Sequence, residues 1–235
     1  VLAHIPDILG CVRGVATVLK KNGTAVFESP YIGGLVENKF DTIYHEHVFY
    51  YSLLALQRLF ARAGLTVYDC GLVPMQGGSL RIFVCHEGSY PVSEQVRKLE
   101  HDERQRGFHR LSSYLKICTN VEKLRTQLTS LLKKLKKDGK RIAAYGAAAK
   151  GVVLLNYFRI GGYLDFIADK SEAKQGLYMP GSHHLIYPPS KVLDDRPDYV
   201  LILPWNIADE VMDFLSEYRR SGGKFIIPVP DVIIV

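Results

Sequence analysis

The sequence is poor in cysteine and in long apolar runs, and each shortage excludes a class of protein. Its 235 residues contain four cysteines, too few and too far apart for a disulfide-rich scaffold or a cysteine-ligated zinc site. The His183–His184 pair has no further ligands near it in sequence, so we predict no metal site. No apolar run approaches the roughly 18 to 20 residues that cross a bilayer. We therefore predict a cytoplasmic protein with reduced thiols, no signal peptide and no membrane partner. The cysteines are Cys11, Cys70, Cys85 and Cys118.

The net charge of +6 raises the question of a nucleic-acid partner. Much of the excess lies within residues 123–141, a segment whose other face is apolar. A solvated helix face explains such a pattern, and no aromatic stacking platform or nucleic-acid motif accompanies it. We therefore predict no nucleic-acid partner.

The length and the changes of pattern indicate more than one domain. Residues 1–86 carry the signals of half a sheet with its helices. Residues 87–138 are helical in pattern, with a break near Gly107, and predict a connector. Strand and helix signals alternate over 139–235, which predicts a small parallel-sheet α/β domain. The chain opens on a valine already close to a helical pattern, so we expect it to be a piece of a longer protein.

Local signals place the elements of the first region. Asp7 and Ser52 are predicted to cap helices that carry an apolar stripe. Residues 24–29 are typical of a buried parallel strand. Residues 65–70 and 79–84 predict two strands that must pair antiparallel, because a parallel crossover needs about a dozen residues or more.

The densest chemical signal is the segment from Tyr44 to His47, with the sequence YHEH. Histidine titrates near neutral pH, and a neighbouring carboxylate or phenol can orient its ring, which suits a general base. The segment also follows a predicted strand and loop, at the sheet edge where α/β proteins bind ligands. We interpret it as a proton-abstraction site. The alternative is a polar loop whose histidines bond to nearby backbone.

A second candidate site lies where a strand meets a helix at Tyr145–Gly151 (YGAAAKG). Small residues let backbone N–H groups approach a phosphate, and Lys150 would add a positive charge. Asp169 ends the next strand, near the position of a ribose-binding acid, but the glycine spacing departs from G-x-G-x-x-G. We favour phosphate binding over tight packing alone. Asn206 follows the next strand and is interpreted as a helix N-cap, a pocket residue or both.

Five motifs, in order through the chain, resemble those of the sugar C-methyltransferase family, whose members use S-adenosylmethionine to methylate carbon in nucleotide-linked keto-deoxysugars. The motifs are LAHIPD at 2–7, DTIYHEH at 41–47, PMQGGSLR at 74–81, YGAAAK at 145–150 and PWN at 204–206.

The resemblance implies an α/β fold: the second half of a class I methyltransferase (Rossmann-like) sheet, a helical connector and a C-terminal Rossmann-like domain. It also implies that a zinc-binding domain and the glycine-rich loop that binds S-adenosylmethionine belong to sequence outside this chain. We therefore expect zinc only in that other domain, and little turnover from this chain alone. If the chain is the product of a split gene, a second chain carrying those parts is an expected partner.

The resemblance further implies roles for individual residues. His47 would be the base that removes a proton beside the 4-keto group of the sugar, and Glu46 would orient it. Tyr44 or His4 would stabilise the enolate oxygen; taken by itself, His4 reads as a structural histidine. The implied substrate-binding residues are Gly78, Ser79, Tyr145, Gly146, Ala149, Lys150 and Asn206.

Two other functions remain open on the sequence. A nicotinamide-dependent oxidoreductase could use the Gly146 turn and Asp169 to bind NAD. A non-catalytic module could bind the nucleotide-sugar without turning it over.

Overall fold

A computed structural model describes residues 2–74 and 77–235. The chain divides into two compact units. Unit 1 comprises Val1–Glu37 and His45–Cys118, and unit 2 comprises Asn38–Tyr44 and Thr119–Val235. The short stretch Asn38–Tyr44 therefore groups with unit 2, although unit 1 precedes and follows it in sequence.

Unit 1 is an α/β unit with an antiparallel sheet. Its strands are β1 (Ala25–Pro30), β2 (Leu65–Val73) and β3 (Ser79–His86). Its helices are α1 (Ile8–Val18), α2 (Ile32–Val36), α3 (Leu53–Ala61), α4 (Glu94–Gln105) and the start of α5 (Leu111–Lys137), with a 3-10 helix at Leu2–His4.

The sheet of unit 1 has the order β1-β3-β2, and both pairings are antiparallel. The antiparallel pairing of β2 with β3 is confirmed. The prediction of a parallel strand over 24–29 is wrong for the pairing that forms, because β3 turns back after a short loop and lies between β1 and β2. The strands β1 and β2 run in the same direction but do not pair with each other.

Two caps fix the helices of unit 1 as the sequence predicts. The Asp7 carboxylate accepts from Gly10 N at 2.9 Å, and the Ser52 hydroxyl accepts from Ala55 N at 3.1 Å. A further cap was not predicted: Glu103, on α4, accepts from Leu53 N at 2.6 Å and Leu54 N at 2.9 Å.

The Glu103 carboxylate is fully buried at this helix terminus. Burial raises its pKa, and the two backbone N–H groups that it accepts from oppose the shift. The core beside it is built from side chains of α3 and the sheet. Its fully buried members include Leu53, Leu56, Phe60, Leu80 and Ile82.

Unit 2 is a mainly parallel α/β unit. Its strands are β4 (Ile142–Tyr145), β5 (Ile167–Ala168), β6 (Ile186–Tyr187), β7 (Tyr199–Ile202), β8 (Lys224–Ile227) and β9 (Ile233–Ile234). Its helices are the rest of α5, α6 (Ala149–Phe158), α7 (Ser190–Asp195), α8 (Ala208–Phe214) and α9 (Ser216–Arg220). Its 3-10 helices lie at Phe40–Thr42, Gly161–Tyr163, Glu172–Lys174 and Trp205–Ile207.

The strand order of unit 2 is β6-β5-β4-β7-β8-β9, parallel from β6 to β8, with β9 antiparallel at the edge. The chain runs outward from β4 in one direction to β6, then returns to β7 on its other side. Ligands of open α/β sheets bind at the carboxyl ends of the two strands that flank such a reversal. The turns after β4 and β7 are therefore the expected ligand edge of this unit.

The α/β class predicted from the sequence is confirmed, and the details differ where local signals were ambiguous. In the region predicted to alternate strands and helices, one helical stretch is divided at Leu215 into α8 and α9. The predicted break in the long helical region is found at residues 106–110, where Gly107 has a φ of 76°. None of the helices formed by residues 2–74 and 77–235 combines the length and apolarity needed to cross a bilayer.

Candidate functional site

The 3-10 helix at Leu2–His4 organises the first candidate site, in unit 1. Leu2 and Ala3 are buried, and the Ala3 carbonyl accepts from Val48 N at 2.9 Å. The Tyr51 hydroxyl donates to the Leu2 carbonyl at 3.2 Å. These bonds lay the segment that follows His47 alongside the segment that ends at His4.

His4 and His47, 43 positions apart, meet as a result. Their ring centroids are 5.2 Å apart, with the planes inclined at 50°. The Nδ1 of His4 lies 2.6 Å from the carbonyl oxygen of Glu46. Because a carbonyl can only accept, this nitrogen carries a proton. Two residues predicted as catalytic are thus brought together by backbone bonding.

Tyr50 is the residue that sequence reasoning missed here. Its hydroxyl lies 3.3 Å from His47 Nδ1, and its ring meets the imidazole edge-on at a centroid distance of 5.8 Å. The His47 ring is half-buried. A phenol three positions after the imidazole was visible in the sequence, but an irregular loop has no periodicity to show which side chains converge. We call His4, His47 and Tyr50 the imidazole cluster.

The other predicted residues of this segment lie differently. The Glu46 carboxylate is 3.9 Å from His45 Nε2, and both side chains are exposed. The role of Glu46 in orienting His47 stays a prediction. Tyr44 belongs to unit 2, where its backbone N–H donates to the Thr42 carbonyl at 3.1 Å.

The predicted substrate residues Gly78 and Ser79 lie at the start of β3, Gly78 in the loop before the strand and Ser79 as its first residue. The Gly78 carbonyl accepts from Tyr31 N at 3.2 Å, which ties the loop to the end of β1, and Ser79 is buried. Met75 and Gln76, in the same motif, lie outside the described residues. Among the residues that are described, no three His, Cys, Asp or Glu side chains are grouped so as to bind a metal ion.

The second candidate site is the turn after β4 in unit 2. Gly146 has a φ of 97°, and a Cβ there would overlap the ring of Pro204, so a side chain is excluded for two reasons. Ala148 precedes α6 in an extended conformation, without a side-chain cap in the described part of the chain. Ala149 is exposed, and Tyr145 is buried at the end of β4. Backbone N–H groups at such a helix terminus suit an anion.

Asp169 fixes the shape of this turn. Its carboxylate accepts from Ala147 N at 2.6 Å and Ser171 N at 2.8 Å. The Lys174 ammonium lies 3.6 Å from the same carboxylate and donates to the Ala147 carbonyl at 2.9 Å. The acid that follows β5 therefore binds backbone N–H groups of the protein itself, one in the turn after β4 and one two residues further along the chain.

Lys150, Asn206, Trp205 and Asp41 form a chain of polar contacts at the same edge, which we call the Lys150 cluster. The Lys150 ammonium donates to Asn206 Oδ1 at 3.1 Å and lies 5.0 Å from the centre of the Trp205 ring. The Trp205 indole N–H donates to Asp41 Oδ2 at 2.6 Å. The N-cap interpretation of Asn206 is wrong, because α8 begins two residues later and is preceded by Ile207.

Asp41, which the sequence did not single out as a site residue, is the most deeply buried charge of this cluster. Its side chain is fully buried, and its Oδ1 has no hydrogen-bond partner among the described residues. Burial raises its pKa to about 6, although the Trp205 hydrogen bond and the positive charge of Lys150 oppose the shift. Burial likewise lowers the pKa of Lys150, and the negative charge of Asp41 opposes that.

Comparison with known proteins identifies the family. Residues 74–230 match the family described as the C-methyltransferase C-terminal domain. The chain belongs to this family. It is also 36% identical, over 236 residues, to the C-methyltransferase NovU of Streptomyces niveus. That comparison covers 99% of this chain and 56% of NovU, so the chain spans little more than half the length of this curated relative.

The family match includes the loop before β3, the turn after β4 and the segment after β7. The imidazole cluster lies before residue 74 and so outside the family match, in a part of the chain that the comparison with NovU spans. The membership of the C-methyltransferase family that the motifs predicted is confirmed.

Asp41→Asn should change how stability depends on pH. The carboxyl binds its proton more tightly in the folded chain, with a pKa of about 6, than at its ordinary value of 3.8. Its contribution to stability is therefore present at low pH and is lost as pH rises through about 6. Relative to the wild type, the variant should gain about 2 kcal/mol between about pH 4.5 and pH 7.5.

Urea unfolding followed by tryptophan fluorescence measures this, because Trp205 is the single tryptophan of the chain and lies in unit 2. Asp213→Asn is the control, since Asp213 is exposed on α8. The free energy of unfolding of Asp213→Asn should differ from that of the wild type by the same amount at both pH values. A constant difference for Asp41→Asn as well would contradict the raised pKa.

Proposed function

We propose that this chain acts in the C-methylation of a nucleotide-linked 4-keto-deoxysugar, with His47 as the base that removes a proton from the carbon beside the ketone. The observation that carries the proposal is the half-buried His47, which lies beside the imidazole of His4 and within hydrogen-bond distance of the Tyr50 hydroxyl. Membership of the C-methyltransferase family supports the reaction class.

The hydrogen bonding of His47 suits a base. With Tyr50 as acceptor, Nδ1 carries the proton of the neutral imidazole, and Nε2 is then its basic nitrogen. The C–H bond beside the ketone breaks, its proton goes to Nε2, and its electrons form the enolate. Tyr50 then accepts from an imidazolium, a stronger donor than the neutral ring.

The enolate oxygen needs hydrogen-bond donors. His4 and Tyr44 remain our candidates, as the family resemblance implies. Of these, His4 lies beside the base in unit 1, and its Nδ1 proton is already directed at the Glu46 carbonyl. A protonated His4 would offer its Nε2 N–H to the enolate oxygen.

S-adenosylmethionine would supply the methyl group as a sulfonium electrophile. The glycines that follow β1 do not fit a cradle for this donor. Gly33 and Gly34 lie in α2, a helix of five residues, and the ring of Tyr31 fills the space beside the Gly33 Cα. We therefore assign no donor-binding residue and derive the proton removal alone.

The nucleotide part of the substrate is proposed to bind at the ligand edge of unit 2. Ala148 and Ala149, at the start of α6, supply backbone N–H groups, and the ammonium of Lys150, in the same turn of the helix, is bound by Asn206. NAD is the alternative ligand for such an edge, and the strand order of unit 2 is compatible with it. Against NAD, the acid expected to bind its ribose, Asp169, is engaged by backbone N–H groups. Fluorescence titration with NADH tests this alternative.

Deuterium exchange tests the proposed base. The chain is incubated in D₂O with a nucleoside-diphosphate 4-keto-6-deoxysugar, and NMR follows loss of the proton beside the ketone, over the buffer rate. This step needs no methyl donor, so the chain can be assayed as it stands. Exchange that is faster than in buffer supports the proposal. Binding by calorimetry without faster exchange would instead favour a non-catalytic nucleotide-sugar-binding module.

Lys150→Met should weaken binding of the nucleotide-sugar about tenfold or more, because a charge-assisted hydrogen bond to a phosphate contributes about 1.5–3 kcal/mol. Calorimetry at low and high salt measures the loss, which should shrink as salt screens the charge. Lys224→Met is the control, since Lys224 is the first residue of β8 and so lies at the amino-terminal ends of the parallel strands, whereas Lys150 lies near their carboxyl ends. A dissociation constant within twofold of wild type for Lys150→Met would remove Lys150 from the binding site.

A further inference from the structure

The segment that follows β7 packs closely against the turn after β4 and the start of α6, all within unit 2. A Cβ at Gly146 would overlap the ring of Pro204. A Cβ at Gly151, in the first turns of α6, would lie only 2.9 Å from Leu203 Cδ1. The two glycines therefore allow the two backbones to approach, which brings the side chains that follow Pro204 to the start of α6.

Trp205 lies beside the Lys150 ammonium as a result. The ammonium is 5.0 Å from the centre of the indole ring, within the range of a cation–π contact, for which indole is the best of the aromatic rings. It also donates to Asn206 Oδ1 at 3.1 Å. The Trp205 side chain is buried, so little of its ring is left for a ligand to stack on. Its contact with Lys150 is the polar contact that its face makes.

Asp41 sets the orientation of this ring. Its fully buried carboxylate accepts from the Trp205 indole N–H at 2.6 Å. Indole has one donor, so a bond to it fixes the direction of the ring edge and with it the direction of the face. The other carboxylate oxygen has no hydrogen-bond partner within residues 2–74 and 77–235, and an apolar side chain would fill the space at lower cost. Packing alone therefore does not explain an acid here, whereas a directed hydrogen bond does.

The backbone that carries Asp41 is held by the same helix that carries Lys150. The buried Phe40 ring stacks on Phe158, the last residue of α6, with centroids 4.9 Å apart and planes inclined at 23°. A lysine side chain that must be immobilised when a ligand binds weakens binding about twofold to tenfold. An ammonium that is already held avoids most of this loss.

We propose that Trp205 is a positioning residue for Lys150, that Asp41 holds it in orientation, and that the two fix the ammonium at the start of α6 before the nucleotide-sugar binds. This rests on the proposed binding of phosphate by Lys150. Trp205 acts through Lys150 and not on the ligand, so its effect on affinity should disappear when Lys150 is replaced.

Three variants test the two contacts. Trp205→Leu removes the ring and its donor. Asp41→Leu and Asp41→Asn are a matched pair: both remove the negative charge, and only asparagine keeps an oxygen that can accept from the indole. The difference between them therefore measures the hydrogen bond without the charge. Tyr218→Phe is the control, because it removes a hydroxyl of unit 2 that donates to the Lys224 carbonyl, at the start of β8.

The first readout is the dissociation constant of a nucleoside-diphosphate 4-keto-6-deoxysugar, from calorimetry, for each variant with Lys150 and with Lys150→Met. With Lys150 present, Trp205→Leu should weaken binding about fivefold, and Asp41→Leu should bind about threefold more weakly than Asp41→Asn. With Lys150→Met, both differences should fall within twofold. Tyr218→Phe should stay within twofold of wild type. A general disturbance of unit 2 would instead weaken binding equally in both backgrounds.

The second readout needs no ligand. Lysines are reductively methylated with isotope-labelled formaldehyde, and NMR resolves the methyl groups on each ammonium. The Lys150 signal is identified by its absence from Lys150→Met. The face of an indole ring shields the groups above it, so this signal should lie upfield of those of exposed lysines in wild type and in Asp41→Asn. It should move downfield in Trp205→Leu and in Asp41→Leu, and Tyr218→Phe should leave it in place.

The two readouts separate this proposal from the proposed function. If wild type does not bind the nucleotide-sugar, the proposed function of unit 2 fails, while the NMR signal still decides whether Trp205 holds Lys150. A wild-type signal among those of exposed lysines would overturn the proposal. Unchanged affinity in Trp205→Leu, or an equal loss with and without Lys150, would also overturn it.

Trp205→Phe takes the place of Trp205→Leu and Asp41→Leu if neither folds. Phenylalanine keeps a smaller ring and lacks the N–H that bonds to Asp41. The Lys150 signal should therefore move part of the way downfield, and a signal that stays where it is in wild type would overturn the proposal.

Discussion

Replacement of His47 by alanine is expected to lower deuterium exchange beside the ketone by a factor on the order of 100 to 10,000, the range attributed to general base catalysis. The imidazole is the group that accepts the proton, and water reaching the same position is a much weaker base. Binding of the nucleotide-sugar, measured by calorimetry, should stay within about twofold of wild type, because the proposed nucleotide contacts lie in unit 2.

His45→Ala is the matched control for this experiment. His45 is two positions away and its side chain is 88% exposed, with Glu46 as its neighbour. Its removal should leave exchange within about threefold of wild type. If His45→Ala lost as much exchange as His47→Ala, the base would be assigned to the wrong imidazole. Exchange that survived in both variants would exclude a histidine of this segment as the base.

The second large effect is expected on stability, at Glu103. Glu103→Ala should lower the free energy of unfolding of unit 1 by about 3 kcal/mol, because it leaves two buried backbone N–H groups, of Leu53 and Leu54, without their acceptor. Urea unfolding followed by far-ultraviolet circular dichroism measures the loss, and amide exchange of peptides from α3 locates it.

Glu100→Ala is the control, since Glu100 lies on the same helix and forms a partly exposed ion pair with Arg104. A surface pair of this kind contributes at most about 1 kcal/mol, so the control should lose much less stability than Glu103→Ala. Equal losses in the two variants would mean that water replaces Glu103 as the acceptor at α3.

Several features of this protein followed from residues close together in sequence. Asp7 and Ser52 cap the helices that they precede, because a cap bonds to N–H groups two or three positions ahead. The loop between β2 and β3 is too short for a crossover, which made their pairing antiparallel. The turn at Gly146 was recognisable because a run of small residues between a strand and a helix marks a tight turn. Such a turn depends on residues that are neighbours in sequence.

The contacts that the sequence did not reveal join distant segments. Tyr50 meets His47 in an irregular loop, where no repeat shows which side chains converge. Asn206 was interpreted as a cap but holds Lys150, a residue 56 positions away. Asp169 was placed where an acid binds ribose, and it bonds to the turn after β4 instead. In each case the sequence pointed to the residue or to its neighbourhood, but it did not reveal which residue it contacts.

By itself, then, the sequence determined the α/β class, the helix caps, the antiparallel strand pair and the family, since each depends on local spacing or on ordered motifs. Tertiary structure decided that His4 lies against His47, that Glu103 caps α3 and that Asp41 is buried against Trp205. These pairs depend on which surfaces pack together once the apolar side chains are buried. That choice is made by the whole chain, and no window of neighbouring residues contains it.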